Sequence, residues 1–400
     1  SLYGYKEVIL PTIESYELFA AKSGGEIKER MYTFKDLAGR RVVLRPEATA
    51  SIARIVATKM LAHPKPFRLF YIVNLFRYDE PQKGRYREFW QAGYELIGSK
   101  SPLADAELLE MLSWFMHEAM LNEFWFKIGH VGVHRSLMEK FGVPEVEQDD
   151  VLGYIDRNQW DEALKILSKY PTELRDILTS LSEIKGRPEE VIPKAVKVLS
   201  GHDEALKELG NLEETLKYAC LLGVKPEKMI VDMGFARGLA YYTSIIFEVL
   251  VPQLRVSLAG GGRYDKLISL FGGPDIPATG FAIGLDRVYL AQVEARVRVD
   301  DKAPKVLVVL AGESEEAVRL AGVALRTVRR ELGVEAVLDV SARSLKRAFS
   351  YASSQGYDYV IIVGEREASK GVVSVKNMKT GEQSEIPVNR LDDGLRNLIS

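Results

Sequence analysis

Four hundred residues at formal net charge −2, with 46% hydrophobic and 28% charged side chains, are an ordinary globular composition with chain enough for two or three domains. The 54 basic residues are offset by 56 acidic ones, which excludes a polybasic, histone-like binder and leaves any nucleic-acid partner to local patches. A single cysteine, Cys220, excludes a disulfide framework and a cysteine-rich zinc site and fits a reducing cytosol, so a cytoplasmic location is expected.

In chain order, Glu7 to Leu10 and Arg41 to Leu44 read as strands, stopped at Pro11 and just before Pro46 by a residue that cannot donate to a ladder. Ala48 to Leu61 has helical periodicity. Phe67 to Phe76 and Glu88 to Ile97 are strand-type runs around a polar turn, a long antiparallel hairpin. Leu103 to Phe124 predicts an amphipathic helix and Phe126 to Val133 a strand. From about 135 to 225 helical spacing takes over, broken at Gly186, Pro188, Gly201 and Gly210, which predicts a helical insertion. Strand signals return over Ile230 to Asp232, Ser244 to Val251 and Leu254 to Ala259, with a Gly260-Gly261-Gly262 turn opening a helix near Tyr264. Gly280 to Gly284 then leads into a helix through Asp286-Arg287-Val288.

The charged stretch Glu294 to Lys305 predicts a linker. Beyond it a strand (Val306 to Leu310), a helix (Glu315 to Leu332), a strand (Ala336 to Val340), a helix (Leu345 to Gln355) and a strand (Tyr359 to Val363) predict a small α/β domain with parallel pairing. No run approaches the ~18 apolar residues of a membrane span, and Ser1 to Lys6 has neither a cationic nor an apolar leader region, so no membrane partner is expected.

No G-x-x-x-x-G-K-[ST] and no helix-opening G-x-G-x-x-G occurs, which argues against a Walker cradle and a Rossmann site. His130 and His134 are four apart without an intervening glutamate, and packed or solvated histidines fit them better than a metal pair. The hairpin segment Phe76 to Arg87 carries four basic side chains on two strands and their turn, and Gln91, Gly93 and Glu95 alternate onto one face of the return strand. Such a floor suits a polyanion with a small polar ligand, or equally a solvated hairpin with scattered ion pairs. Arg237 stands between small residues and ahead of Tyr241 and Tyr242, and Arg287 lies in the first turn after a glycine-flanked strand. Three arginines in such frames could neutralise a triphosphate through bidentate hydrogen bonds without a P-loop.

The arrangement resembles the histidyl-tRNA synthetases, class II aminoacyl-tRNA synthetases, over essentially the whole chain. Tyr5 to Pro11 is similar to the end of motif 1, Phe76 to Gly98 to motif 2 and Gly280 to Arg287 to motif 3. Arg237 to Tyr242 and Gly261 to Asp265 resemble the two histidine signatures, and Arg45 to Thr49 a loop placed over the amino acid. The resemblance implies an α+β catalytic domain on an antiparallel sheet (1–134 and 226–300), a helical insertion (135–225) and a C-terminal α/β anticodon-binding domain (304–400). It implies an ATP-dependent histidine–tRNA ligase acting on histidine, ATP and histidine tRNA, as a homodimer, with Mg²⁺ on the β- and γ-phosphates and no metal ligand assigned to a side chain. Catalysis falls to Arg77 and Arg237. Arg77, Arg85, Tyr86 and Arg287 would bind ATP. Glu47, Thr49, Gln91, Glu95, Arg237, Tyr241 and Tyr242 would bind histidine, Glu95 with Tyr242 reading the imidazole.

Ala240 stands where the first signature usually has aspartate, and the family's motif 1 helix and N-terminal segment are not in this sequence. Two other readings compete. One is the synthetase-like, non-catalytic regulatory subunit of ATP phosphoribosyltransferase, which generally lacks the anticodon-binding domain and loses catalytic arginines. The other is a tRNA-binding module with a relic site.

Overall fold

The computed structural model describes residues 2–20, 28–80, 83–237, 240–297, 304–312, 314–341 and 343–399. The chain forms two compact units, Ser1–Val297 and Arg298–Ser400.

The first unit is built on a nine-stranded sheet. Its strands are β1 (Lys6–Glu7), β5 (Phe67–Phe76), β6 (Glu88–Ile97), β12 (Ala278–Gly284), β11 (Ala259–Arg263), β10 (Ile245–Leu250), β7 (Trp125–His130), β9 (Met229–Asp232) and β8 (Lys185–Gly186), side by side in that order. Pairing is antiparallel except between β1 and β5 and between β7 and β9. A small antiparallel sheet of β2 (Ile13–Ser15), β4 (Arg41–Leu44) and β3 (Thr33–Lys35) packs with α1 (Tyr16–Ala20), burying Leu18, Phe19 and Val43.

The expected hairpin is β5–β6, in register from Phe67↔Ile97 to Phe76↔Glu88. Its alternation is literal, since Phe67, Leu69, Tyr71, Val73 and Leu75 are all buried. The basic side chains, however, are not on the strands. β5 stops at Phe76 and β6 starts at Glu88, so Arg77, Lys83, Arg85 and Arg87 belong to the connection, drawn together by Arg77 N–H donating to the Arg87 carbonyl at 2.9 Å.

Other expected elements shift for identifiable reasons. The strand expected over Glu7 to Leu10 shrinks to β1, a parallel edge that loses its partner after Val8 donates to the Phe70 carbonyl at 2.8 Å. The helix from Ala48 begins as α2 (Thr49–Ile55) and continues as a wider π turn over Val56–Met60. The long helix α3 (Pro102–Glu118), capped by Ser101, ends early because Met120 turns to φ 55°. β7 stops at His130 and a helix starts at Val131, because His-Val-Gly-Val-His satisfies helical spacing as well as alternation. Leu254 to Leu258 is irregular, and Gly260-Gly261-Gly262 is no turn but the centre of β11.

The helical stretch comprises α4 (Val131–Lys140), α5 (Glu145–Asp156), α6 (Trp160–Leu167), α7 (Thr172–Ser182), α8 (Pro188–Val198) and α9 (Asp203–Leu222). It shares the first unit's apolar core, and β8, between α7 and α8, ties it to the sheet edge. α10 (Leu285–Glu294) follows β12, and residues 298–303 of the expected linker lie outside the described residues.

The second unit holds β14 (Glu335–Leu338), β13 (Lys305–Leu310), β15 (Tyr359–Val363), β16 (Val372–Asn377) and β17 (Gln383–Pro387), adjacent in that order. The expected parallel trio β14–β13–β15 is extended by two antiparallel strands. Alternation along β13 feeds two cores. Val306 and Val308 pack with α11 (Glu315–Arg326), while Leu307 and Val309 pack with Ala348 and Ala352 of α12 (Leu345–Ser354).

Candidate active site

The centre of the large sheet is stripped of side chains on one face. Cross-strand partners share a face, so Gln91, Gly93 and Glu95 of β6 lie beside Gly284, Ala282 and Gly280 of β12, which lie beside Gly260 and Gly262 of β11. A Cβ at Gly280 would overlap the Glu95 carboxylate, and one at Gly260 would overlap the Arg237 guanidinium. The opposite face is covered by α3, whose Asp105 and Glu107 pair with Arg263 at 2.7 Å and Arg68 at 2.8 Å. Backbone floor and charged walls enclose a cavity of about 340 Å³.

Every residue given a catalytic or binding role above lines it: Glu47, Thr49, Arg77, Arg85, Tyr86, Gln91, Glu95, Arg237, Tyr241, Tyr242 and Arg287. The loop carrying Glu47 and Thr49 is held from below by buried Arg45, which donates to the Leu10 carbonyl at 2.7 Å and to the Asn74 carbonyl and side-chain oxygen at 2.8 and 2.7 Å. Glu47 accepts the Ala50 N–H at 3.0 Å, at the start of α2, where helix N–H groups lack partners.

Three arginines are anchored to carbonyls at the cavity wall. Arg77 Nε donates to Pro46 at 2.8 Å, Arg237 Nη1 to Phe247 at 3.0 Å, and Arg287 Nε and Nη1 to Gly84 and Ser257 at 3.0 and 2.8 Å. Burial lowers the pKa of Arg77 and of Arg287. Repulsion adds to it, from Arg237 on Arg77 and from Arg77 and Arg85 on Arg287. Burial works the same way on Arg237 but is outweighed, chiefly by Tyr242 and by Glu248 at 3.5 Å, and its pKa rises. Cations held close enough to repel, on fixed backbone anchors, are preorganised donors of the kind that suits a polyanion.

At the other end, Glu95 is 1% exposed and accepts from Thr49 Oγ1 at 2.9 Å and from the Tyr264 hydroxyl. Burial pushes the Glu95 carboxyl up to about 8 and the Glu47 carboxyl to about 7, and drives the Tyr71, Tyr241 and Tyr264 phenols well above their ordinary value. Tyr241 and Tyr242 pack at 5.0 Å, and Tyr241 meets Tyr264 edge-on at 5.8 Å.

The cavity also holds residues the sequence reading left without a role: Arg30, Tyr71, Asp79, Asp156, Glu248 and Tyr264. Tyr264 was visible in the second signature, and Tyr71 as a phenol on an apolar face opposite a glycine. Arg30, Asp156 and Glu248 come from separate elements, and no local spacing marks them. His130 and His134 are fully buried away from this cavity, His130 facing Ser244 Oγ at 2.9 Å with its pKa depressed by burial to about 3, a neutral packed pair. Among the described residues no group of three or more metal-ligating side chains converges, and no helix is long and apolar enough to cross a membrane.

Comparison with known proteins gives the same answer at both scales. The family description "Histidyl-tRNA synthetase" matches residues 1–288, and "Anticodon binding domain" matches residues 305–398. A histidine–tRNA ligase of Saccharolobus solfataricus is 40% identical over 399 residues, covering 99% of this chain and 92% of the relative. The apo histidyl-tRNA synthetase structure from S. aureus superposes with a TM-score of 0.71 at 28% identity, covering 98% of this chain and 91% of that one. A Bacillus halodurans structure titled "ATP phosphoribosyltransferase regulatory subunit/histidyl-tRNA synthetase" gives 0.74 at 26% identity, covering 91% and 90%. Full-length similarity of this kind shows that the chain belongs to the histidyl-tRNA synthetase family.

Proposed function

We propose that the protein activates histidine with ATP to histidyl-adenylate and pyrophosphate, then transfers histidine to the 3′ end of histidine tRNA. The observation that carries this reading is one cavity in which Arg77, Arg85, Arg237 and Arg287 face a buried Glu95 held by hydroxyl donors. A histidine carboxylate oxygen attacks the α-phosphorus. The new O–P bond forms as the bond to the bridging oxygen of pyrophosphate breaks. Charge grows on the non-bridging oxygens, where Arg77 and Arg237 serve as fixed donors. Arg287 takes the γ-phosphate end, and Arg85 and Tyr86 lie beside the nucleotide. Glu47 and Thr49 receive the α-amino group, Gln91 and Tyr241 help place the substrate, and Glu95 with Tyr242 reads the imidazole. Buried Glu95 accepts an imidazole N–H and penalises side chains that cannot donate.

Mg²⁺ would find one hard oxygen donor in Glu248 of the cavity wall, would take its other ligands from phosphate and water, and would supply neutralisation of phosphate charge. Residues 1–134 with 226–300 act as the catalytic domain, 135–225 as an insertion and 304–400 as the anticodon-binding domain. A homodimer in the cytoplasm completes the reading. Exposed Leu2, Ile9, Ile72 and Trp114, by the β1 edge, support the dimer, and the lone cysteine supports the compartment.

The regulatory-subunit reading is not favoured, because the three arginines share one cavity and residues 305–398 match an anticodon-binding domain. Histidine-dependent ATP–pyrophosphate exchange is the test. Exchange that responds to histidine alone among the amino acids is expected, and its absence would leave either the regulatory or the relic-site reading.

A further inference from the structure

A second cavity, of about 1080 Å³, lies between the helical stretch and the catalytic sheet. Ala240, Tyr241, Tyr242 and Thr243 line it, and Tyr241 and Tyr242 line the active cavity as well. One short loop is therefore the partition between the two spaces. Its carbonyls have no strand partner, and loop carbonyls buried without one are costly. Thr243 is tied down by its N–H, which donates to the Arg263 carbonyl at 2.8 Å. The carbonyls upstream are held by one side chain from outside the catalytic sheet. Arg135 of α4 donates from Nε to the Tyr242 carbonyl at 3.2 Å and from Nη2 to the Ala240 carbonyl at 3.2 Å. The same Nη2 donates to Asp149 of α5 at 2.7 Å, and both partners of that ion pair are shielded, at 17% and 21% exposure.

We propose that Arg135 is a positioning residue for the histidine pocket, clamping the Ala240–Tyr242 backbone so that Tyr241 and Tyr242 face the substrate, with Asp149 fixing its guanidinium. Neither residue touches the active cavity; both act through the loop. The assignment rests on the histidine-activating reading given above. It also makes a distinction within the site. The ATP-side arginines have anchors away from this loop, Arg77 on the Pro46 carbonyl and Arg287 on those of Gly84 and Ser257, so releasing the clamp disturbs the histidine side and spares the ATP side. Guanidinium geometry matters, because a lysine head cannot serve two carbonyls and a carboxylate along one fork.

The test is histidine-dependent pyrophosphate exchange by the full chain carrying Arg135→Met, Arg135→Lys or Asp149→Asn. For Arg135→Met the expected result is a histidine KM raised about ten- to a hundred-fold, the scale of charge-assisted hydrogen bonds lost, with a lower kcat and an ATP KM within about two-fold. Arg135→Lys should fall between Met and the parent. Asp149→Asn keeps an acceptor and should shift the histidine KM the same way by a smaller factor; it carries the test alone if Arg135→Met does not fold. Histidine KM unchanged in the folded variants, or histidine and ATP KM rising together, overturns the proposal. Failure of the parent protein to exchange at all would instead remove the functional reading on which it rests.

Discussion

Arg237 and Glu95 line one cavity, and their surroundings answer burial differently. Arg237 is fixed by the Phe247 carbonyl and flanked by Glu248, so in the proposed adenylation its guanidinium would be in place before charge develops on the α-phosphate. Arg237→Ala is expected to lower the rate of adenylate formation at least a hundred-fold, one such donor being worth roughly 3–4 kcal/mol, with the circular dichroism spectrum unchanged. Near-normal single-turnover adenylation would take this arginine out of the mechanism. Glu95, by contrast, is buried among neutral hydroxyls and holds its proton up to about 8, as Glu47 does to about 7, against an ordinary value of 4.5. The folded protein therefore binds more protons than the unfolded chain across that interval. The stability these two groups contribute is complete below about pH 4.5 and is lost as pH rises through 7 and 8. Calorimetry of the ligand-free protein should show this component of Tm falling between those limits, and Glu95→Gln should flatten it. The same substitution should raise the histidine KM sharply and move the ATP KM little. Equal small changes in both constants would mean that Glu95 does not read the imidazole.

At the scale of elements, the site is made by what β11 and β12 lack. Gly260, Gly262, Gly280 and Gly284 leave the middle of the sheet bare, so that the cavity floor is backbone while Glu95 and Arg237 reach across the space a Cβ would fill. Gly260→Ala should displace the Arg237 guanidinium and cut exchange about ten-fold or more, at a stability cost of ~1–3 kcal/mol from overpacking. Exchange at the parent rate would show that the guanidinium can move aside without consequence. This device also explains what could be read in advance. β5, β6 and β4 were legible to the residue, because apolar strand-type runs around a polar turn and a proline just past β4 are local signals. β11 was not, since three consecutive glycines look like a turn to any local rule and become a strand only because neighbours on both sides need them small. The same limit divides the site. Residues inside contiguous motifs, such as Arg77, Gln91 and Arg287, were visible from their frames. Asp156 reaches the cavity from the end of α5 and Glu248 from β10, elements with no sequence link to the motifs.

At the scale of the molecule, the exposed apolar side chains by the β1 edge predict self-association through the first unit. Sedimentation should give a dimer at micromolar concentration, and a monomer throughout would defeat it. The two units also predict a separable division of labour. Each has its own core, Ser1–Val297 around the large sheet and Arg298–Ser400 around both faces of a five-stranded one. All the residues assigned to ATP and histidine fall in the first unit, whereas the anticodon-binding match begins at residue 305. On the proposed reading, adenylation needs only the cavity. Charging needs tRNA held by contacts at both of its ends, and losing one set weakens binding much more than it alters chemistry at the other. A chain ending near Ala303 should therefore fold, retain histidine-dependent pyrophosphate exchange within a few-fold of the full protein, and lose most of its charging of histidine tRNA at limiting tRNA. Raising tRNA concentration should recover part of that loss, because the missing unit contributes affinity and not a reacting group. If the shortened chain charges histidine tRNA as well as the full one at low tRNA, the second unit does not bind the anticodon end; if it loses exchange instead, the first unit does not carry adenylation alone.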